Sequence, residues 1–428
     1  MKEVTVGDQK VLLVRSEGQY SAVGGRCSHY GAPLIKGTLV GDRVRCPFHG
    51  ACFNVRNGDI EDYPGLDSLP CYKVKWHLSQ SLTVTKRVKE MCSVVPDVKH
   101  TILLIGGGPA SLVCAETLRQ NCYQGRIIII TKDSVPPFDK PKLSKALNVE
   151  SSSILLRPDD FYQRYGMEMW TKKEVVSVNP AKKEVKMSDG TLQRYDQLLI
   201  ATGCRARPLT CPGSDLEGVK LLQSYEDAKD IHSSSLGQKV KQVVLKSGVV
   251  LEADVVIAGI GVIPNSDLLA GSEVEVDSRK AVIVDKFMRT NVPDIFAAGD
   301  VTSFPLTIRG DQRVSIGHWQ MSHAHGRVAA LNMLKKSTKI ESVPFFWTVL
   351  LGKSIRYAGY GEGYTEIIFK GKMEERKFLA FYIKDDVVVA AASLMFDPAV
   401  ACIAELMARG QILTKAQAQA EDLSWLQI

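Results

Sequence analysis

The sequence predicts a multidomain protein: a small all-β domain, then an α/β domain of the doubly wound kind, then an α+β C-terminal domain. Three observations carry this. Residues 1–85 hold only short alternating runs punctuated by Gly, Asn, Asp and Pro. At Thr101 the texture switches to a buried apolar run, a Gly-rich turn, a helix-like stretch and four consecutive isoleucines, which is a βαβ unit. From about Val343 the chain is β-rich again and then helical.

Each element follows from local pattern. Lys2 to Val6, Val11 to Val14, Val44 to Cys46 and Leu82 to Val84 read as short strands, with Arg56 to Asp59 as a turn. Residues 86–99 are polar, contain Pro96 and read as a linker. Ile102 to Ile105 is a buried strand, Pro109 to Gln120 a helix and Arg126 to Thr131 a second strand. Gln197 to Ala201, Asp254 to Ala258 and Asp294 to Ala297 are further strands. Phe378 to Ile383 and Val387 to Phe396 form a hairpin around Lys384-Asp385-Asp386, and Pro398 to Arg409 a helix.

Composition narrows the function classes. The chain has 428 residues, 45% hydrophobic and 24% charged, which excludes disordered, collagenous and coiled-coil proteins. No apolar run approaches the ~20 residues of a membrane-spanning helix. The net charge of +7 comes with no block of like charges, so no nucleic-acid partner is expected. Ten cysteines are too few for a disulfide scaffold at this length, and four of them precede residue 72. The first residues alternate like a strand and show no secretory or transit segment, so a cytoplasmic protein is expected.

Two short elements in the first domain carry chemistry. Cys27-Ser28-His29 and Cys46-Pro47-Phe48-His49 each offer one thiolate and one imidazole, with sixteen residues between His29 and Cys46. A Rieske-type [2Fe–2S] cluster needs two thiolates on one iron and two imidazoles on the other. The neighbouring Gly31, Pro33 and Gly50 allow both loops to wrap a cluster closely, with backbone N–H groups donating to its sulfurs. A tetrahedral zinc ion is the alternative occupant of Cys27, His29, Cys46 and His49. Residues 29–34 and 46–53 resemble a Rieske ferredoxin-type domain, and the resemblance implies the ferredoxin-like branch without an inter-loop disulfide.

The βαβ unit carries a nucleotide signature. Gly106-x-Gly108-Pro109-Ala110-Ser111 joins the first strand to its helix. The first glycine makes the turn, the second admits a pyrophosphate, and the helix N-terminus faces it. Ser111 stands where a third glycine normally permits close packing. Lys132 and Asp133, after the second strand, are candidates for phosphate and ribose, or simply solvated charges. Further motifs point to FAD. Residues 138–145 resemble the loop that brings basic residues, here Lys140 and Lys145, to the flavin. Residues 198–203, ending in Thr202-Gly203, resemble the strand and turn that close the FAD domain. Residues 290–300 resemble the second FAD motif, whose last residue, Asp300, would accept from the ribityl chain. Val175 is a further candidate contact. His318 and Trp319 open a helix whose N-terminus could stabilise negative charge on a reduced flavin.

Together these motifs resemble the ferredoxin-reductase-type pyridine nucleotide-disulfide oxidoreductases. A Rieske domain placed ahead of one is the layout of the apoptosis-inducing factor-like (type 3) flavoproteins. The resemblance implies FAD, a [2Fe–2S] cluster and NAD(P)H as cofactors, a redox partner protein or small acceptor, and a mitochondrial association as alternative to the cytoplasm. Lys145, His318 and Trp319 would be its catalytic residues. The expected divisions are a Rieske domain at 1–85, a linker at 86–99, FAD-binding segments at 100–231 and 259–338, and a reductase-type C-terminal domain at 339–428.

One part of that layout is missing. The family inserts an NAD(P)H-binding domain between its FAD segments, yet only 49 residues separate Gly203 from Ala253. None of the glycines at 213, 218, 237 and 248 forms G-x-G, and a complete βαβαβ unit does not fit. Residues 232–258 therefore read as a remnant joined near His232 to Gly237, whose orphaned strands would expose apolar edges. The expected activity is electron transfer between flavin and cluster with the nicotinamide site deleted. The alternatives are a catalytically impaired signalling or scaffold protein related to cell death, and a zinc-containing nucleic-acid binder.

Overall fold

The computed structural model describes residues 1–72, 86–148, 150–234 and 240–426. The strand expected at Leu82 to Val84 and half of the expected junction, Ser235 to Gly237, lie outside the described residues. Two antiparallel four-stranded sheets make up the N-terminal domain. Lys2–Val6, Gln9–Ser16, Gln19–Gly24 and Cys71–Tyr72 form one; Thr38–Val40, Arg43–Arg45, Cys52–Asn54 and Ile60–Asp62 form the other. Leu12, Val14, Val23, Val44, Phe53 and Leu69 fill the space between them. Residues 86–99 run without helix or strand, apart from a bridge between Arg87 and Ser68.

The second domain is built on a parallel sheet of five strands. Their order is Met167–Trp170, Arg126–Ile130, Thr101–Ile105, Gln197–Ile200, Ile295–Ala297. The first strand along the chain is central, so the sheet winds outward in both directions. Pro109–Gln120 is helical as expected, with Pro109 in its first turn where no N–H is needed. It packs against helix Trp319–Met333 at Gly326, where a Cβ would stand 2.2 Å from the Ala110 carbonyl oxygen. That close crossing holds the nucleotide turn and the His318-Trp319 turn side by side.

Between the two halves of this domain the strands among the described residues pair in twos. Val219–Lys220 runs parallel to Val256–Ile257, Gln242–Val244 pairs with Val250–Glu252, and Cys204–Ala206 pairs with Val262–Pro264. Helix Tyr225–Ser234 packs through Tyr225 and Ala228 against Phe138, Leu143 and Ile154. The hairpin has no such support among the described residues: Val244, Leu245, Val249, Val250 and Leu251 are all exposed.

The C-terminal domain is a five-stranded antiparallel sheet ordered Phe345–Leu350, Lys353–Gly359, Val387–Leu394, Lys377–Lys384, Glu366–Lys372, covered by helix Ala399–Ala408. Buried polar contacts tie the domains together. Arg45 of the first domain donates to Glu405 at 2.8 Å and to the Gly50 carbonyl at 2.8 Å, with Asp62 at 3.2 Å. Arg157 of the second domain bridges Glu116 and Asp67, each at 2.8 Å. Each of these charges is paired, as burial requires. Among the described residues no helix is long and apolar enough to cross a membrane.

Candidate functional site

The two Cys/His loops close by the same backbone pattern. The Cys27 N–H donates to the Ala32 carbonyl and the Gly31 N–H to the Cys27 carbonyl; Cys46 with Ala51 and Gly50 with Cys46 repeat it. Gly31 and Gly50 both take φ near +70°, at +70° and +75°, a conformation that favours glycine. Gly50 also has no room for a side chain, since a Cβ would lie 2.7 Å from the Phe345 ring. The shared closure brings Cys27 to Cys46 and His29 to His49, whose ring centroids are 5.0 Å apart.

The electrostatics suit metal ligation. Backbone N–H groups of His29 and Tyr30 donate to the Cys27 sulfur, and those of Phe48 and His49 to Cys46. The Cys27 thiol is held high by its hydrogen bond to Cys46 and by burial, while accepting that bond lowers Cys46. Burial pushes His29 down to about 4 and His49 to about 3, so both imidazoles are neutral at pH 7. Their Nδ1 atoms are buried without a hydrogen-bond partner. Among the described residues no three His, Cys, Asp or Glu side chains converge as a single ion would require. Like donors stand in facing pairs, and that donor set fits a two-iron cluster.

A second site opens on the parallel sheet. A cavity of about 1300 Å³ is lined by Gly106, Gly108, Pro109, Ala110, Lys132, Asp133, Lys140, Val175, Thr202, Gly203, Asp300, His318 and Trp319. Every one of these is a residue singled out from the sequence. Gly106 sits at φ +119°, where a Cβ would meet the Ala201 carbonyl at 2.2 Å, whereas a Cβ on Gly108 would meet nothing within 4 Å and would project into open space. Asp300 is partly buried, and desolvation pushes its carboxyl up; Ser322 donates to it at 3.0 Å, and Lys140 and the His318 N–H draw it back. His318 is held neutral by burial, at about 4, with its Nδ1 buried and unpartnered. An open glycine cradle at a helix N-terminus, a cation and a partly buried acceptor fit a dinucleotide flavin.

Two sequence candidates fall outside the cavity wall. Lys145 follows the tight turn Lys140–Ser144 and points to exposure rather than to the cavity, which leaves Lys140 as the loop's cation there. Ser111 is fully buried inside the first helix, with its hydroxyl unpartnered, in a packing position.

The two sites touch through a residue that the sequence assigns to the C-terminal domain and to no site. Trp347, in the C-terminal sheet, lines the cavity. Its ring lies 4.9 Å from His318, 5.0 Å from His49 and 6.2 Å from His29. A further contact joins the loops themselves: the Tyr30 hydroxyl donates to Asp139 at 2.5 Å. The nearest signal in the sequence is the adjacent aromatic pair Phe346-Trp347, which has no local feature marking it as part of a site about 300 residues away.

Comparison with known proteins agrees with this architecture. Residues 1–73 match the Rieske [2Fe-2S] domain, 100–244 and 233–326 match the pyridine nucleotide-disulphide oxidoreductase family in two pieces, and 345–425 match the reductase C-terminal domain. The chain is 40% identical to apoptosis-inducing factor 3 of Mus musculus, covering all of this chain and 86% of the relative. That alignment runs over 518 positions against the 428 residues of this chain, a difference of 90. Putidaredoxin reductase CamA of Pseudomonas putida is 25% identical over 69% of this chain and 88% of its own. The fold also resembles a chain of the covalent putidaredoxin reductase–putidaredoxin complex, with TM-score 0.70 and 23% identity over 76% of this chain and 97% of that one.

Proposed function

The chain belongs to the apoptosis-inducing factor 3 family of Rieske-containing pyridine nucleotide-disulphide oxidoreductases, and from that premise we propose that it moves electrons between FAD and its own [2Fe–2S] cluster, with the nicotinamide platform lost. The family makes it an electron-transfer oxidoreductase with FAD and a [2Fe–2S] cluster as cofactors. The observation that carries the finer reading is Trp347, which forms part of the cavity wall and stands against both candidate ligand imidazoles.

FAD accepts electrons in pairs and releases them singly, and a [2Fe–2S] cluster carries them singly. Cys27, Cys46 and the Nδ1 atoms of His29 and His49 would hold the cluster, with loop N–H groups on its sulfurs. Gly106, Gly108 and the N-terminus of helix Pro109–Gln120 would cradle the pyrophosphate. Asp300, kept in place by Ser322 and the His318 N–H, would accept from the ribityl chain. Lys140 supplies positive charge beside it. His318, Trp347 and His49 form a continuous run of ring contacts between the two sites.

Three observations support the loss of the nicotinamide platform. The alignment with the mouse relative leaves about 90 positions without a counterpart here. The family match breaks into two pieces that meet at 233–244. At that junction the described residues form two-stranded fragments with exposed apolar faces where a nucleotide-binding sheet would stand. The external partner is then a small redox protein or acceptor that exchanges electrons with the cluster or flavin.

The test is anaerobic photoreduction of the flavin in the reconstituted full chain, without nicotinamide. The expected result is loss of reduced-flavin absorbance in step with growth of the reduced-cluster paramagnetic signal. A cluster that stays oxidised beside a reduced flavin contradicts the reading.

A further inference from the structure

We propose that the hydrogen bond from Tyr30 to Asp139 is a latch that positions the cluster loop against the flavin loop, and that it sets the rate of transfer between them. The proposal rests on the flavin-to-cluster reading above. Tyr30 follows the candidate ligand His29 directly, and its ring lies 4.1 Å from His29 and 5.5 Å from His49. Its hydroxyl reaches out of the first domain to the Asp139 carboxylate, across 109 residues of sequence. Asp139 precedes Lys140, which lines the cavity, and its own N–H is fixed to the Ile154 carbonyl at 2.8 Å. One bond therefore joins a residue in ring contact with both imidazoles to the base of the turn that carries Lys140.

The surroundings favour this bond over competitors. Asp139 is buried at 8% exposure, and Lys142, its other charged neighbour, stands farther off at 3.6 Å. A hydrogen bond to a buried carboxylate is among the stronger neutral-to-charged contacts. The C-terminal domain braces the second ligand loop, through Glu405 on Arg45 and through Arg356 on the Pro47 carbonyl, and Arg157 with Asp67 ties the first domain to the flavin domain. The first ligand loop reaches the flavin loop directly through Tyr30 and Asp139. Displacing a reacting group by ~1 Å is enough to lower a rate by up to ~100-fold.

The experiment uses the reconstituted full chain with Tyr30→Phe, Asp139→Ala, Asp139→Asn and the Tyr30→Phe/Asp139→Ala double variant. After flash photoreduction of the flavin, Tyr30→Phe and Asp139→Ala should transfer to the cluster at least ~10-fold more slowly than the parent. The double variant should be no slower than either single one, because one bond is lost in each case. Asp139→Asn keeps an acceptor for the phenol and should stay within about threefold of the parent. The cluster midpoint potential should be the same in Tyr30→Phe and the parent. Hydrogen exchange in the chain without cofactors should quicken at residues 27–33 and 138–145 together in Tyr30→Phe. Parent-like transfer in Tyr30→Phe overturns the latch, and so does slower transfer that follows a shifted potential. If the parent itself transfers nothing to its cluster, the flavin-to-cluster reading fails instead, and the exchange result alone decides whether the latch exists.

Discussion

The strands of the parallel sheet and those of residues 240–262 have similar sequences and opposite fates. Ile102, Leu103, Ile127 and Ile128 are fully buried, while Val244 is 62%, Val250 53% and Ile257 53% exposed. Both sets are β-branched or apolar runs that local pattern assigns to strands. What separates them is company. The parallel sheet receives helices Pro109–Gln120 and Trp319–Met333, whereas the Gln242–Val244 hairpin receives no covering helix among the described residues. Local sequence specifies a strand; a sheet requires the rest of its domain.

Core truncation should break this comparison most sharply. Ile128→Ala should cost about 3 kcal/mol in denaturant unfolding, through lost burial and a residual cavity. Val250→Ala, in a strand of similar sequence, should change stability by less than ~0.5 kcal/mol. Equal effects at the two positions would mean that the hairpin is packed in solution.

Gly326→Ala should act at the helix crossing that frames the cavity. Its Cβ would meet backbone oxygen of Ala110, so the helices must separate, at a cost of roughly 1–3 kcal/mol. Flavin content after purification should fall in parallel.

Acid should also distinguish the regions. Burial holds His318 at about 4 and both His323 and His325 at about 3, all below the ordinary imidazole value of 6.5. The unfolded chain therefore binds protons first, and stability rises with pH across this range. The contribution is complete above pH ~6.5 and declines as pH falls toward 4, by up to ~1.4 kcal/mol per unit for each histidine. Exchange protection of residues 319–333 should fall between pH 6 and 4.5 in the chain without cofactors. Residues 240–262, which contain no histidine, should show no matching loss. Unchanged protection of the helix would place those imidazoles in water.

The smallest effect belongs to the exposed hairpin. Val244 and Val250 face each other in register. Val244→Lys with Val250→Glu should leave the melting temperature within ~2 °C and reduce self-association in light scattering. A large loss of stability would reveal a partner surface within the chain.

Much of this was legible in sequence because it is local. Pro109 to Gln120 was bounded by the glycine turn and by Pro at its first position, and the structure gives the same bounds. The mixed Cys/His spacings announced paired loops, although only the fold shows that both close by one backbone pattern. The remainder depends on long-range pairing. Trp347 reaches His49, Tyr30 reaches Asp139 and Arg45 reaches Glu405 across domain boundaries, and no local periodicity records such contacts. The basic loop shows the limit within a single motif: a tight turn brings Lys140 to the cavity and turns Lys145 away, a difference of five residues that composition cannot resolve.

The most direct measurement is the anaerobic visible spectrum of the reconstituted chain, with NADH added first and dithionite second. Flavin and cluster bands should both be present, persist with NADH and bleach with dithionite, as expected of a flavin and cluster left without a nicotinamide platform. Rapid bleaching by NADH would contradict the loss of that platform and require hydride to reach the flavin by another route.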